Sequence, residues 1–141
     1  MQTNTKVYGP YSPIVKADNT YYISGQVGID TQSNQTAEGI AAQTQHALKN
    51  LQAILTDAGL SMNDVVKTTV YLTDMGDFEA MNNAYTERFV GKRPARTTVA
   101  VKELPRLGKN QPLLVEIEAV AVKSYIRKAS QALKPPQEDQ Q

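Results

Sequence analysis

Two periods of hydrophobic and polar positions divide the chain into elements. Ser12 to Ala17 and Thr20 to Ser24 are short apolar or β-branched runs separated by the turn pair Asp18-Asn19, a pattern that predicts a hairpin. From about Thr36 to Ala58 the spacing becomes helical. Ile40, Ala41, Thr44, Ala47, Leu48, Leu51, Ile54, Leu55 and Ala58 supply an apolar or small face, and Gly59 supplies the stop. Val65 to Thr73 reads as a strand. Asp77 to Val90 reads as a second helix with Phe78, Met81, Tyr85 and Phe89 inward, closed by Gly91. Ala95 to Val101 and Leu113 to Val122 are the last two strands. This order predicts an α+β fold with a single mixed β-sheet and two helices packed on one face. An apolar face left uncovered by helices must be hidden elsewhere, and self-association into an oligomer is the natural means.

The final strands carry charges that their surroundings do not explain. The period of two sends Thr97, Val99 and Val101 to one side and Arg96, Thr98 and Ala100 to the other. On the last strand Leu113, Val115, Ile117, Ala119 and Ala121 share a face, opposite Leu114, Glu116, Glu118, Val120 and Val122. If the two strands pair as neighbours, Arg96 and Glu116 project from the same side of one sheet. Such a pair is either a cross-strand ion pair that fixes register or a clamp whose planar guanidinium fork receives the carboxylate of a small acid. Spacing is compatible with both.

Length and composition narrow the classes. At 141 residues the chain is one domain's worth. Charged residues make up 21% and nearly cancel at a net +1, so no basic stripe marks a nucleic-acid partner. No apolar run approaches the ~20 residues that span a bilayer, and Met1 to Lys6 lack the apolar segment of a signal peptide. The expected location is therefore cytoplasmic, with no membrane partner. Zero cysteines remove disulfides and a thiol nucleophile, and one histidine, His46, does not make a transition-metal site. No metal and no cofactor are expected. His46 falls between apolar helix positions and is expected to face solvent. Lys67 lies in a strand and reads as a packing or surface lysine. Gly25, Gly28 and Gly39 lack phosphate-loop spacing and read as turn or backbone-approach glycines.

Five segments in order resemble the Rid family, also called YjgF-type proteins or reactive intermediate deaminases. They are Gly9-Pro10-Tyr11-Ser12, Ile23-Ser24-Gly25-Gln26-Val27, Val66 to Leu72 with Asp77-Phe78 and Asn82, Ala95-Arg96-Thr97-Thr98-Val99, and Val115 to Ala121. The resemblance ends near Lys123, dividing the chain into a Rid/YjgF-like domain, 1–123, and a C-terminal extension, 124–141. In that extension Ser124 to Leu133 is expected to form a short helix, and Lys134 to Gln141 has the composition of a disordered tail.

The resemblance implies a YjgF-like (chorismate-mutase-like) homotrimer with sites in the clefts between subunits. The implied reaction is hydrolysis of 2-imino and enamine acids such as 2-aminoacrylate, 2-iminopropanoate and 2-iminobutanoate to 2-keto acids and ammonia. It further implies that Arg96 grips the substrate carboxylate, Glu116 orients or deprotonates water and returns the proton to nitrogen, and Tyr11 covers the mouth. Ser24, Gly25, Asn82 and Thr98 are the implied substrate-binding positions, and Glu118 is expected to be structural, paired with a basic group across the trimer. Imines already hydrolyse in water, so orientation, a placed water and proton handling suffice. Two departures stand out. Thr98 replaces the cysteine found in many members, and the loop Leu104 to Pro112 is longer than usual and is expected to reshape the entrance. A non-catalytic trimer that binds small carboxylates uses Arg96 but has no need of Glu116. A ribonuclease reading lacks both a basic patch and a histidine pair.

Overall fold

The computed structural model describes residues 6–123, so the expected C-terminal helix and tail lie outside the described residues. The hairpin forms as β1 (Ile14–Ala17) and β2 (Thr20–Val27), with Ala17 opposite Thr20 across a turn that holds Asp18 at φ 53°. Helix α1 (Ile40–Asp57) follows. Its end is a Schellman turn. Gly59, at φ 78°, donates to Thr56 O (3.0 Å), Leu60 N donates to Leu55 O (2.8 Å), and both leucines are buried. Then come β3 (Val65–Leu72), α2 (Phe78–Arg88), β4 (Ala95–Ala100) and β5 (Val115–Val122).

The strands form one mixed sheet in the order β1-β2-β5-β3-β4, with β3 and β4 parallel and the other pairs antiparallel. Both helices lie on one face. There Ile14, Tyr21, Ile23, Val70, Leu72, Val115, Ile117, Ala119 and Ala121 pack against Leu48, Leu51, Leu55, Met81, Tyr85 and Phe89. The α+β architecture expected from the sequence is the one observed. Among the described residues no helix is long and apolar enough to cross a membrane.

Three local expectations change. Ala41 is exposed, and Gln43 takes a core position in its place. The glutamine is admitted because its amide is fully used: Nε2 donates to Ala37 O (3.1 Å) and Pro112 O (2.9 Å), while Oε1 accepts from Leu114 N (2.7 Å). His46 is half-buried instead of solvent-facing, and burial, with Lys49 nearby, lowers its pKa. Phe78 opens α2 at 40% exposure and is not an inner residue.

The helix-free face is partly apolar. Val15 (52% exposed), Tyr22 (51%) and Val99 (38%) stand there with half-buried Val120. Their positions follow from register, since Val15 opposes Tyr22, Tyr22 opposes Val120, and Val99 opposes Tyr71.

Candidate active site

The neighbour relation assumed for Arg96 and Glu116 does not hold. β3 lies between β4 and β5. Arg96 opposes Thr68, and Thr68 opposes Ala119, so Arg96 is on the helix face. Glu116 is three residues from Ala119, and an odd separation puts it on the opposite face, across from Tyr71. The two charges cannot pair within one protomer. Each instead opens on its own cavity.

The Glu116 cavity, about 340 Å³, is on the helix-free face and is lined by Tyr8, Tyr11, Ser24, Gly25, Glu116 and Glu118, among others. A β-bulge builds it. Ile23 opposes Ala119 and Gln26 opposes Ile117, leaving Ser24 and Gly25 against the single residue Glu118. The bulge is held by Ser24 Oγ donating to Ser12 O (2.7 Å) and by Gln26 Nε2 donating to Ser24 O (3.1 Å). Gly25 leaves room here for the Glu116 side chain, since a Cβ would fall 2.7 Å from Glu116 Cδ and 2.9 Å from its Cγ and would displace it. Removing that methyl lets the carboxylate lie over the strand. Below the bulge, Asn50 of α1 donates to Val27 O (3.0 Å) and Ile29 O (2.9 Å).

Electrostatics disfavour the charged form of Glu116 in this cavity. Burial raises its pKa above the usual carboxylate range, and the nearby Glu118 charge raises it further. Glu118 accepts from Tyr71 Oη at 2.9 Å. Tyr11, 48% exposed, stands at the mouth, and its Oη accepts from Tyr8 N at 3.4 Å. The long loop contributes Pro105 and Leu107 to the wall of this cavity.

The Arg96 cavity, about 380 Å³, is lined by Asn82, Tyr85, Thr86, Arg93, Pro94 and Arg96, with no acidic residue among them. The guanidinium is carried by soft surfaces: its carbon is 4.8 Å from the Tyr85 ring centroid and 5.7 Å from that of Phe78, and Nη1 is 3.9 Å from Met81 Sδ. Thr68 Oγ1 and Tyr85 Oη share a buried 2.7 Å hydrogen bond that fixes this platform. Asn82 Oδ1 is buried without a hydrogen-bond partner. Thr98 is half-buried on the helix face two residues on and does not line the cavity.

The expected site residues therefore fall into two sets: Tyr11, Ser24, Gly25 and Glu116 on one face, and Arg96 with Asn82 on the other. Tyr8 and Arg93 line these cavities without having been singled out from the sequence. Arg93 carried a signal in its position three residues before Arg96 across a proline, whereas Tyr8 had none. Among the described residues no group of three or more His, Cys, Asp or Glu side chains is placed to hold a metal ion.

The endoribonuclease L-PSP family model matches residues 1–123. A mouse protein named 2-iminobutanoate/2-iminopropanoate deaminase is 48% identical over 122 residues, covering 86% of this chain and 87% of that one. A RutC family protein of Pyrococcus horikoshii is 47% identical over 119 residues, covering 84% and 90%. Among solved structures, RidA from an Antarctic Psychrobacter superposes with a TM-score of 0.77 at 40% identity, covering 83% of this chain and 91% of that one.

Proposed function

This chain belongs to the endoribonuclease L-PSP (Rid/YjgF) family, and we propose on that footing that it is a homotrimeric hydrolase converting 2-imino acids and their enamine tautomers to 2-keto acids and ammonia. One observation carries the reading. The two cavities are chemically complementary and lie on opposite faces of the same sheet, one with a carboxylate of raised pKa and one with a guanidinium and no acid. A neighbouring subunit that brings its Arg96 face against the Glu116 mouth completes a site neither protomer holds alone. The apolar helix-free face is the surface such an assembly would cover.

In that cleft Arg96 receives the substrate carboxylate through its two-pronged fork, with Asn82 Oδ1 available to accept from the imine N–H. Glu116 takes a proton from water as the oxygen bonds to C2, giving a tetrahedral carbinolamine. Starting from the protonated imine, the same carboxyl returns that proton to the carbinolamine nitrogen, the C–N bond breaks to release ammonia, and the hydroxyl proton passes to the Glu116 carboxylate as the C=O forms. A carboxylate already poised to hold a proton suits both halves of this exchange. Tyr11 covers the mouth, and Ser24 and Gly25 leave room beside Glu116. A cytoplasmic location suits a substrate of this kind. The family's name carries a nuclease activity, but the one histidine is half-buried on α1 and lines neither cavity.

The test is keto-acid release from 2-aminoacrylate and 2-aminocrotonate generated in place by a serine/threonine dehydratase, with semicarbazide competing for the imine. Wild type should accelerate release, and Arg96→Ala should lose on the order of 10²-fold or more of that effect. No acceleration by wild type would reject the enzyme in favour of a carboxylate-binding trimer.

A further inference from the structure

The cavity around Arg96 holds a second guanidinium. Arg93 and Arg96 both line it, and the remaining lining residues, Asn82, Tyr85, Thr86 and Pro94, bring no negative charge. A strand running straight from 93 to 96 would send the two side chains to opposite faces, because three is an odd separation. The chain avoids this because regular strand begins only at Ala95. Pro94 fixes its own φ and disfavours helical backbone at the residue before it, and Arg93, just outside the sheet, lines the same cavity. Both cations act on the buried Tyr85 hydroxyl, opposing the rise in its pKa that burial produces.

One monocarboxylate satisfies one guanidinium fork. The Arg96 fork already sits against Tyr85, Phe78 and Met81, leaving it an anion to bind. A monocarboxylic substrate held there leaves Arg93 as a second cation on the same wall, with no acidic residue of its own protomer lining the cavity to answer it. Like charges gathered on one concave surface repel, and a ligand carrying two anionic groups relieves that repulsion while using both forks.

Resting on the reading of Arg96 as the carboxylate clamp, we propose that Arg93 is a specificity-determining residue that binds a second carboxylate, so that this protein prefers dicarboxylic 2-imino acids, those derived from aspartate and glutamate. The α-carboxylate sits on Arg96 and the side-chain carboxylate on Arg93. The hydrolysis is unchanged: water adds at C2 and ammonia leaves, while the second carboxylate takes no part. Arg93 is a binding residue, and its contribution is read in discrimination between substrates. Because Arg93 is exposed, the preference it adds is modest, about tenfold, as one charge-assisted bidentate contact at an exposed rim supplies.

The experiment has two arms. In the first, 2-iminoglutarate and 2-iminopropanoate are generated in place by amino-acid oxidases from glutamate and alanine, and kcat/KM is measured for wild type, Arg93→Ala and Arg93→Lys. The dicarboxylic-to-monocarboxylic ratio should exceed one in wild type, fall about tenfold in Arg93→Ala, and be partly kept in Arg93→Lys, whose point charge lacks the fork. In the second arm, calorimetry compares 2-oxoglutarate with pyruvate on the same proteins, and the same order is expected. A ratio unchanged by Arg93→Ala, or a wild-type preference for the monocarboxylate, overturns the proposal. If wild type accelerates neither imine, the hydrolase reading fails, and the calorimetric preference and its loss in Arg93→Ala still decide whether Arg93 binds a second carboxylate.

Discussion

The Glu116 and Arg96 cavities are similar in size and differ in how their walls are made. Around Glu116 the wall is backbone: a two-residue bulge, a glycine with no space for a methyl group, and strand-end carbonyls held by Asn50. Around Arg96 the wall is side chain, with aromatic rings, a thioether and a buried Thr68-Tyr85 hydrogen bond. The difference matches the tasks assigned to them. A proton-exchanging carboxylate needs a low-dielectric position with little freedom to swing, whereas a cation that grips an anion needs support that leaves its fork unspent.

The largest effect that would break this division comes from mixing two disabled proteins. Arg96→Ala and Glu116→Gln should each be nearly inactive alone. If each site takes Arg96 from one subunit and Glu116 from the next, unfolding and refolding them together in equal amounts should restore about a quarter of the wild-type sites. No recovery would place both residues' work inside single protomers, which the sheet geometry does not allow, and would sink the shared-cleft model. Gly25→Ala comes next. Its methyl displaces the Glu116 carboxylate, and a shift near 1 Å is worth on the order of 10²-fold in rate, so kcat should fall far more than thermal stability does. An equal fall in folding and activity would mean the bulge serves packing alone.

Smaller effects sharpen the contrast. Thr68→Val strands the Tyr85 hydroxyl in the core and should cost about 1–3 kcal/mol in urea unfolding, with a milder loss of substrate affinity as the platform under Arg96 loosens. On the acidic side, the raised pKa of Glu116 means that its contribution to stability is present below the ordinary carboxylate pKa and is lost as pH rises through the raised value. Glu116→Gln should therefore melt higher than wild type at neutral pH, with the gap closing under acid. Finally, Glu118→Gln removes the second cause of that rise, and the acid limb of the kcat/KM profile should move to lower pH; a limb that stays in place would show that burial alone sets it.

Much of the fold is legible in the order of residues alone. The stretch from about Thr36 to Ala58 declares a helix, which the fold starts only at Ile40, with Gly59 its end, and Asp18-Asn19 declare the hairpin turn, because helical spacing, alternation and turn chemistry are properties of neighbouring residues. The same holds for which residues share a side of one strand: Arg96 with Thr98, and Glu116 with Glu118. How the sides of two strands relate is not local. It depends on β3 entering the sheet between β4 and β5 and on the register with which Thr68 meets Arg96 and Ala119, and a slip of one residue would reverse it. Gln43 escapes the hydrophobic pattern for a related reason, since only the folded chain brings the carbonyls of Ala37 and Pro112 to its amide. Sequence thus names the elements and the charged residues. Long-range pairing alone decides that those charges face away from each other, in two cavities of opposite character.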